Sequence, residues 1–253
     1  LGIETEGYKH QLHFYYPEQG GIQTLTDELK TRIRGKITTT FEVKSLKREN
    51  EKFSINNGER EYDEIISTLP IPILFSCLEG VPPEVMQAVE NLHYNSLISV
   101  MIGVDIPKLN NISWLYFPLE DEGWFNRVSF PFNFSPKVVP EGKSSLVAEI
   151  TCKKNDNIWQ KTDEEIIVQV ISDLEKNGII KKEDLCFKTI SRSDFAYVIY
   201  DLDYHKNIKK IKEYLDSVGI KYVGRFAEWS YMNMDAVIEK SREFAKGYDQ
   251  KAF

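Results

Sequence analysis

Four short segments in the middle of the chain constrain its fold most. Residues 96–104, 113–117, 125–130 and 144–151 each read as a strand by alternation or by enrichment in β-branched and aromatic side chains. Four neighbouring strands imply a sheet of mixed or antiparallel pairing, and its apolar face needs a cover. The cover follows in sequence. Thr162-Asp163-Glu164-Glu165 has the form of a capping box, in which the Thr162 hydroxyl and the Glu165 carboxylate satisfy orphan backbone amides. Ile166, Ile167, Val170, Ile171 and Leu174 then make an apolar helical stripe, which Asn177-Gly178 ends.

On either side the chain alternates between the two periods. Leu12, Phe14 and Tyr16 fall on one face of an expected strand, and Gly20-Gly21 opens a helix whose Ile22, Leu25, Leu29 and Ile33 recur at spacings of three and four. Residues 36–46 read as a strand carrying Ile37, Phe41 and Val43, Asn56-Asn57-Gly58 as a hairpin turn, and 64–69 as a short buried strand ending at Pro70. Prolines at 70, 72, 82 and 83 interrupt regular structure before a short helix over 84–92. A strand over 195–200, a helix carrying Ile208, Ile211, Leu215 and Val218, a closing Gly219 and a strand over 220–223 complete the pattern. The expectation is an α/β (α+β) fold in three blocks, 1–70, 71–195 and 196–253, with no internal repeat or low-complexity linker.

Composition excludes several classes of partner. A formal charge of −7 with scattered lysines disfavours nucleic acid. No run approaches the roughly 18–20 apolar residues of a membrane span, and residues 1–20 lack the pattern of a secretion signal. Cys77, Cys152 and Cys186 are odd in number and lack CxxC spacing, so they are expected as core thiols of a soluble cytoplasmic protein. His10 and His13 are spaced unsuitably for a metal-binding strand pair, and Asp201, Asp203 and His205 read as the turn before a helix. No P-loop or nucleophilic triad is visible.

The chemistry concentrates near the end. The strand at 220–223 runs into Gly224-Arg225, then an aromatic turn through Trp229 and Tyr231, then Asn233 capping a helix from Met234. Glycine lets a flat ligand approach the backbone, and a helix N-terminus carries partial positive charge. A reduced flavin gathers negative charge at one edge, so this arrangement would stabilise it. Glycine turns and asparagine caps also serve purely structural ends.

The segment Gly224-Arg225-Phe226-Ala227-Glu228-Trp229-Ser230-Tyr231-Met232-Asn233-Met234-Asp235 resembles the C-terminal flavin signature of the amine-oxidase-like FAD superfamily, with UDP-galactopyranose mutases as the nearest likeness. The Gly20-Gly21 helix and the 41–43 strand resemble the region touching the adenine side of FAD, and 62–70 resembles the return strand. Phe125-Asn126-Arg127-Val128-Ser129-Phe130 looks more like the substrate-domain sheet of protoporphyrinogen-oxidase-like members. The resemblance implies an FAD-binding domain from blocks 1–70 and 196–253 around a substrate domain at 71–195. It implies FAD contacts at Gly20, Gly21, Val43, Gly224, Arg225, Asn233, Met234 and Asp235. The likeness to the mutases makes Arg225 and Tyr231 ligands of a substrate diphosphate, and Arg127 is an added candidate for a second anion clamp.

Bacterial mutases usually carry aspartate where Asn233 stands. The chain also has no GxGxxG after a strand, the pyrophosphate cradle that opens this superfamily's proteins, and it begins at Leu1 as though cut. The implied activity is that of a flavin-dependent enzyme on an anionic small molecule, by nucleotide-sugar isomerisation or by protoporphyrinogen-oxidase-like oxidation. A non-catalytic binding module without flavin is the alternative from another class.

Overall fold

The computed structural model describes residues 14–49 and 51–249. In chain order the elements are α1 (Gln23–Thr31), β1 (Leu46–Glu49), β2 (Lys52–Ile55), β3 (Arg60–Tyr62), β4 (Ile65–Ser67), α2 (Ile71–Cys77), α3 (Pro83–Glu90), β5 (His93–Val104), β6 (Trp114–Tyr116), β7 (Arg127–Ser129), β8 (Ser144–Cys152), α4 (Asn157–Gln160), α5 (Asp163–Lys176), β9 (Leu185–Ile199), α6 (Tyr204–Val218), β10 (Ile220–Tyr222) and α7 (Met234–Asp249). They form two compact units: 1–37 with 97–192, and 38–96 with 193–253. Each unit closes around its own apolar core.

The core of the first unit lies between a sheet and a helix. The sheet runs β6-β7-β8-β5-β9, with β6–β7 and β7–β8 antiparallel. Strict alternation along β5 and β8 buries Ile98, Val100, Ile102, Leu146, Ala148 and Ile150 on one face. The stripe of α5, with Ile166, Val170 and Leu174, joins the same cluster. Both halves of the capping box form: Glu165 N–H donates to Thr162 Oγ1 at 3.3 Å, and Thr162 N–H donates to Glu165 Oε2 at 2.8 Å.

The second unit holds a three-stranded meander, β1-β2-β3, and a two-stranded parallel sheet, β4 with β10. Asn56, Asn57 and Gly58 all adopt positive φ between β2 and β3, as the hairpin turn requires. Phe53, Leu74, Val89, Ile211, Leu215 and Trp229 share its core. Helix α2 was hidden by its prolines. Pro70 precedes it and Pro72 sits in its first turn, where no intrahelical amide is lost.

Three other expectations need correction. Residues 36–45 form no strand, and the ladder starts at Leu46, because among the described residues no strand pairs with 36–45. Phe14 and Tyr16 also lie outside any strand, while Leu12, His10 and His13 fall outside the described residues. The cysteines divide: Cys152 is buried, Cys77 half-buried and Cys186 exposed, so Cys186 is not a core thiol. Helix α1 forms, but ends at Thr31 so that Ile33 lies beyond it, and it buries none of its residues among those described.

Candidate functional site

The turn between β10 and α7 is built from the parallel strand pair outward. Val223 N–H donates to Ser67 O at 3.1 Å, extending the β4–β10 ladder by one step. Gly224 then takes φ +112°, and a Cβ built there would meet nothing within 4 Å, so the backbone at this point faces open space. Glu228 N–H returns to Gly224 O at 2.8 Å and Ser230 N–H to Arg225 O at 2.9 Å, which closes the turn. Helix α7 starts as Val237 N–H bonds Asn233 O at 3.0 Å, and Lys240 of α7 holds the Glu228 carboxylate at 2.6 Å.

Arg225 is held from several sides. Its Nη1 donates to Met232 O at 3.0 Å and its Nη2 to Ala196 O of β9 at 2.6 Å. The guanidinium carbon lies 4.6 Å from the Tyr231 ring centre and 5.4 Å from that of Tyr197, and these two rings stack 6.3 Å apart at 16°. Tyr231 N–H donates to Tyr200 Oη at 2.5 Å. Tyr204 Oη donates to the carbonyl of Trp229, a fully buried residue at φ +51°. Burial first, then the charges of Tyr200 and Glu228, pushes the Tyr204 hydroxyl above its ordinary pKa, which keeps it a donor.

The structure therefore brings Gly224, Arg225, Tyr231, Asn233, Met234 and Asp235 into one neighbourhood, with Tyr231 and Met234 half exposed. Val43 belongs to the same unit, where its carbonyl accepts from Cys77 Sγ at 3.1 Å and its side chain packs on the core that Phe226 also touches. Gly20 and Gly21 lie in the other unit at φ +72° and +65°, and a side chain at Gly20 would strike the Thr24 hydroxyl. Arg127 is also in that other unit. Both its Nε and Nη2 donate to Glu149 Oε2, at 2.9 and 2.5 Å, across the β7–β8 register pair. The anion beside Arg127 is an internal carboxylate, and the pair braces β7 against β8.

Tyr197, Tyr200 and Tyr204 were missed. Their spacing of three and four across a strand end and a helix start was the available signal. The Asp201 region is a turn, as expected: Asp203 N–H donates to Asp201 Oδ1 at 3.0 Å, and His93 Nε2 lies 3.4 Å from Asp201 Oδ2. Among the described residues no cluster of His, Cys, Asp and Glu could hold a metal, and no helix is long and apolar enough to cross a membrane.

A family model described as flavin containing amine oxidoreductase matches residues 3–200, and the chain belongs to that family. Among solved structures it is similar to a reduced UDP-galactopyranose mutase, with 25% identity, TM-score 0.73, and coverage of 85% of this chain and 48% of that one. A putative protoporphyrinogen oxidase from Exiguobacterium sp. 255-15 aligns at TM-score 0.76 and 17% identity, over 91% of this chain and 51% of its own. Putrescine oxidase with bound putrescine aligns at TM-score 0.68 and 15% identity, over 92% and 53%. The chain thus spans about half the length of these structures. No curated protein matches it.

The family implies a flavin, and the turn at 224–235 fits one. Gly224 leaves the backbone open to a flat ring, and Arg225 Nε and the Trp229 indole N–H are buried donors without an acceptor among the described residues. The first-turn amides of α7 have no intrahelical acceptor to bond.

Proposed function

We propose that the protein containing this chain is an FAD-dependent enzyme acting on an anionic substrate, a nucleotide sugar, by UDP-galactopyranose-mutase-like isomerisation. The open Gly224 backbone in front of the α7 N-terminus carries this reading. Bound FAD would supply a ring that in its reduced state is both nucleophilic and negatively charged along one edge.

The chain's own residues have separable tasks. The amides at 233–236 and the dipole of α7 favour negative charge beside the turn, while Asp235 in the first turn offsets part of that field. Arg225 contributes its fixed positive charge and positions the ring of Tyr231, its Nη1 and Nη2 being engaged by carbonyls. Tyr231, half exposed, presents its hydroxyl to a substrate phosphate. Val43, Gly20 and Gly21 remain proposed FAD contacts at the adenine side, and Asn233 and Met234 at the ring.

The test is FAD binding, followed by visible absorbance and quenching of flavin fluorescence, on this chain and on the longest protein that contains it. Dithionite-reduced holoenzyme is then given UDP-galactopyranose, and the furanose isomer is sought by chromatography. Formation of the furanose form supports the proposal. Flavin binding with oxygen consumption on a porphyrinogen and no isomerisation would replace the mutase by an oxidase, and absence of flavin binding in both proteins would leave a binding module.

A further inference from the structure

A cavity lies wholly within the unit 1–37 with 97–192. It is open to solvent on one side and holds about 500 Å³, a size typical of small-molecule sites. Its walls are mostly apolar, with Met101, Val138, Val139, Pro140, Val147 and Phe187 among them. Gly103 keeps the floor tight, since a Cβ there would come 3.0 Å from Phe187 Cβ and 3.5 Å from Cys186 Sγ.

The frame is preformed. Asp105 N–H donates to Asp184 O at 2.8 Å, joining the end of β5 to the start of β9. Ser144 Oγ donates to Ile106 O at 2.7 Å while accepting from Leu109 N–H at 3.2 Å. Polar groups on the lining are few. Lys143 forms an ion pair with Asp105 at the rim, so the charge there sums to zero. The Ser145 hydroxyl, on the same lining, meets no protein partner among the described residues.

We propose that this cavity binds a small neutral apolar molecule bearing one hydroxyl or carbonyl, which Ser145 engages by a hydrogen bond. A charged head group would give up its hydration against the apolar walls, which disfavours a carboxylate or an amine. A cavity of this volume is large enough for a drug-sized ligand, so a chain of roughly a dozen heavy atoms enters it with room to spare.

Decan-1-ol, kept below its solubility limit, is the probe, with the whole 253-residue chain as the protein. Calorimetry is expected to show saturable binding at one site, and decanoate and decylamine to bind at least tenfold more weakly. In parallel, N-ethylmaleimide labelling resolved by peptide mass spectrometry is expected to slow several-fold at Cys186, which lines the cavity, and to be unchanged at Cys77. Val147→Trp should fill the space and abolish both effects. Ser145→Ala, which keeps the cavity open, should weaken decan-1-ol and serves if Val147→Trp does not fold. Non-saturable uptake, unprotected Cys186, or decanoate binding as tightly as the alcohol would each overturn the proposal. The outcome is independent of flavin, so it stands or falls apart from the proposed reaction.

Discussion

Nη2 of Arg225 reaches the carbonyl oxygen of Ala196 at 2.6 Å, and this bond ties the turn after β10 to the strand that precedes α6. The consequence is a stability role for a residue whose sequence context points to ligand binding. Arg225→Ala removes two charged hydrogen bonds to carbonyls and the packing of the guanidinium against two tyrosines. It should destabilise the chain by about 2–4 kcal/mol, read from the urea midpoint. Arg225→Lys keeps the charge but cannot span both carbonyls, and should retain only part of the loss. An unchanged midpoint in Arg225→Ala would mean that Arg225 is not a brace.

Gly219 closes α6 at φ +76°, and a Cβ there would lie 2.5 Å from Arg48 Nη1. Arg48 is fixed, because the same nitrogen donates to Val218 O at 2.7 Å. Gly219→Ala should therefore cost about 1 kcal/mol for the left-handed backbone and more for the displaced arginine. In an Arg48→Ala background only the backbone part should remain. Thermal unfolding of the four proteins in that cycle checks it.

The thiols should react in the order of their exposure and ionisation. Burial, aided by the charge of Asp156, pushes the Cys152 thiol up to about 11. Iodoacetamide at pH 8 should label Cys186 first, Cys77 more slowly because its thiol donates to the carbonyls of Val43 and Ile73, and Cys152 only after unfolding. Early labelling of Cys152 would show that its cluster opens readily.

At the alkaline end, burial first and then the Asp216 carboxylate push the Tyr222 hydroxyl up to about 12. Its folded pKa is above the ordinary value of 10.0, so the folded state favours the protonated form. The contribution is complete below pH 10, and is lost as the pH rises through 12. Tyr222→Phe should flatten the fall in stability across that window, and absorbance of the phenolate should place one tyrosine among the last to ionise.

The most legible parts of the sequence were those where local chemistry and burial agree. The capping box at Thr162 and the alternation along β5 and β8 each specify an element and the face it buries. The stripe of α1 was legible as a helix, but periodicity does not say what covers it, and Leu29 stands about half exposed. Residues 36–45 have the composition of a strand, but the backbone of Glu42, Lys44 and Ser45 bonds to Asn56 and among the described residues no strand pairs with them, since pairing is a property of two segments. At the candidate site the glycine, the arginine and the helix start were readable along the chain. The stacking of Tyr197 on Tyr231 and the Arg225–Ala196 bond were not, since each joins residues about thirty positions apart.

The parallel pairing of β4 with β10 also sets a schedule for the nascent chain. Ile65 aligns with Ile220, and the Glu64–Lys221 ion pair beside them joins residues 157 positions apart. At a synthesis rate of roughly 5–20 residues per second, the β4 edge waits on the order of ten seconds or more for its partner to be made. The intervening segment 97–192 carries most of another core and can collapse during that delay. Residues 38–96 would meanwhile offer unpaired strand edges, and substitutions that slow completion of β10 should raise aggregation during expression more than they lower the final stability.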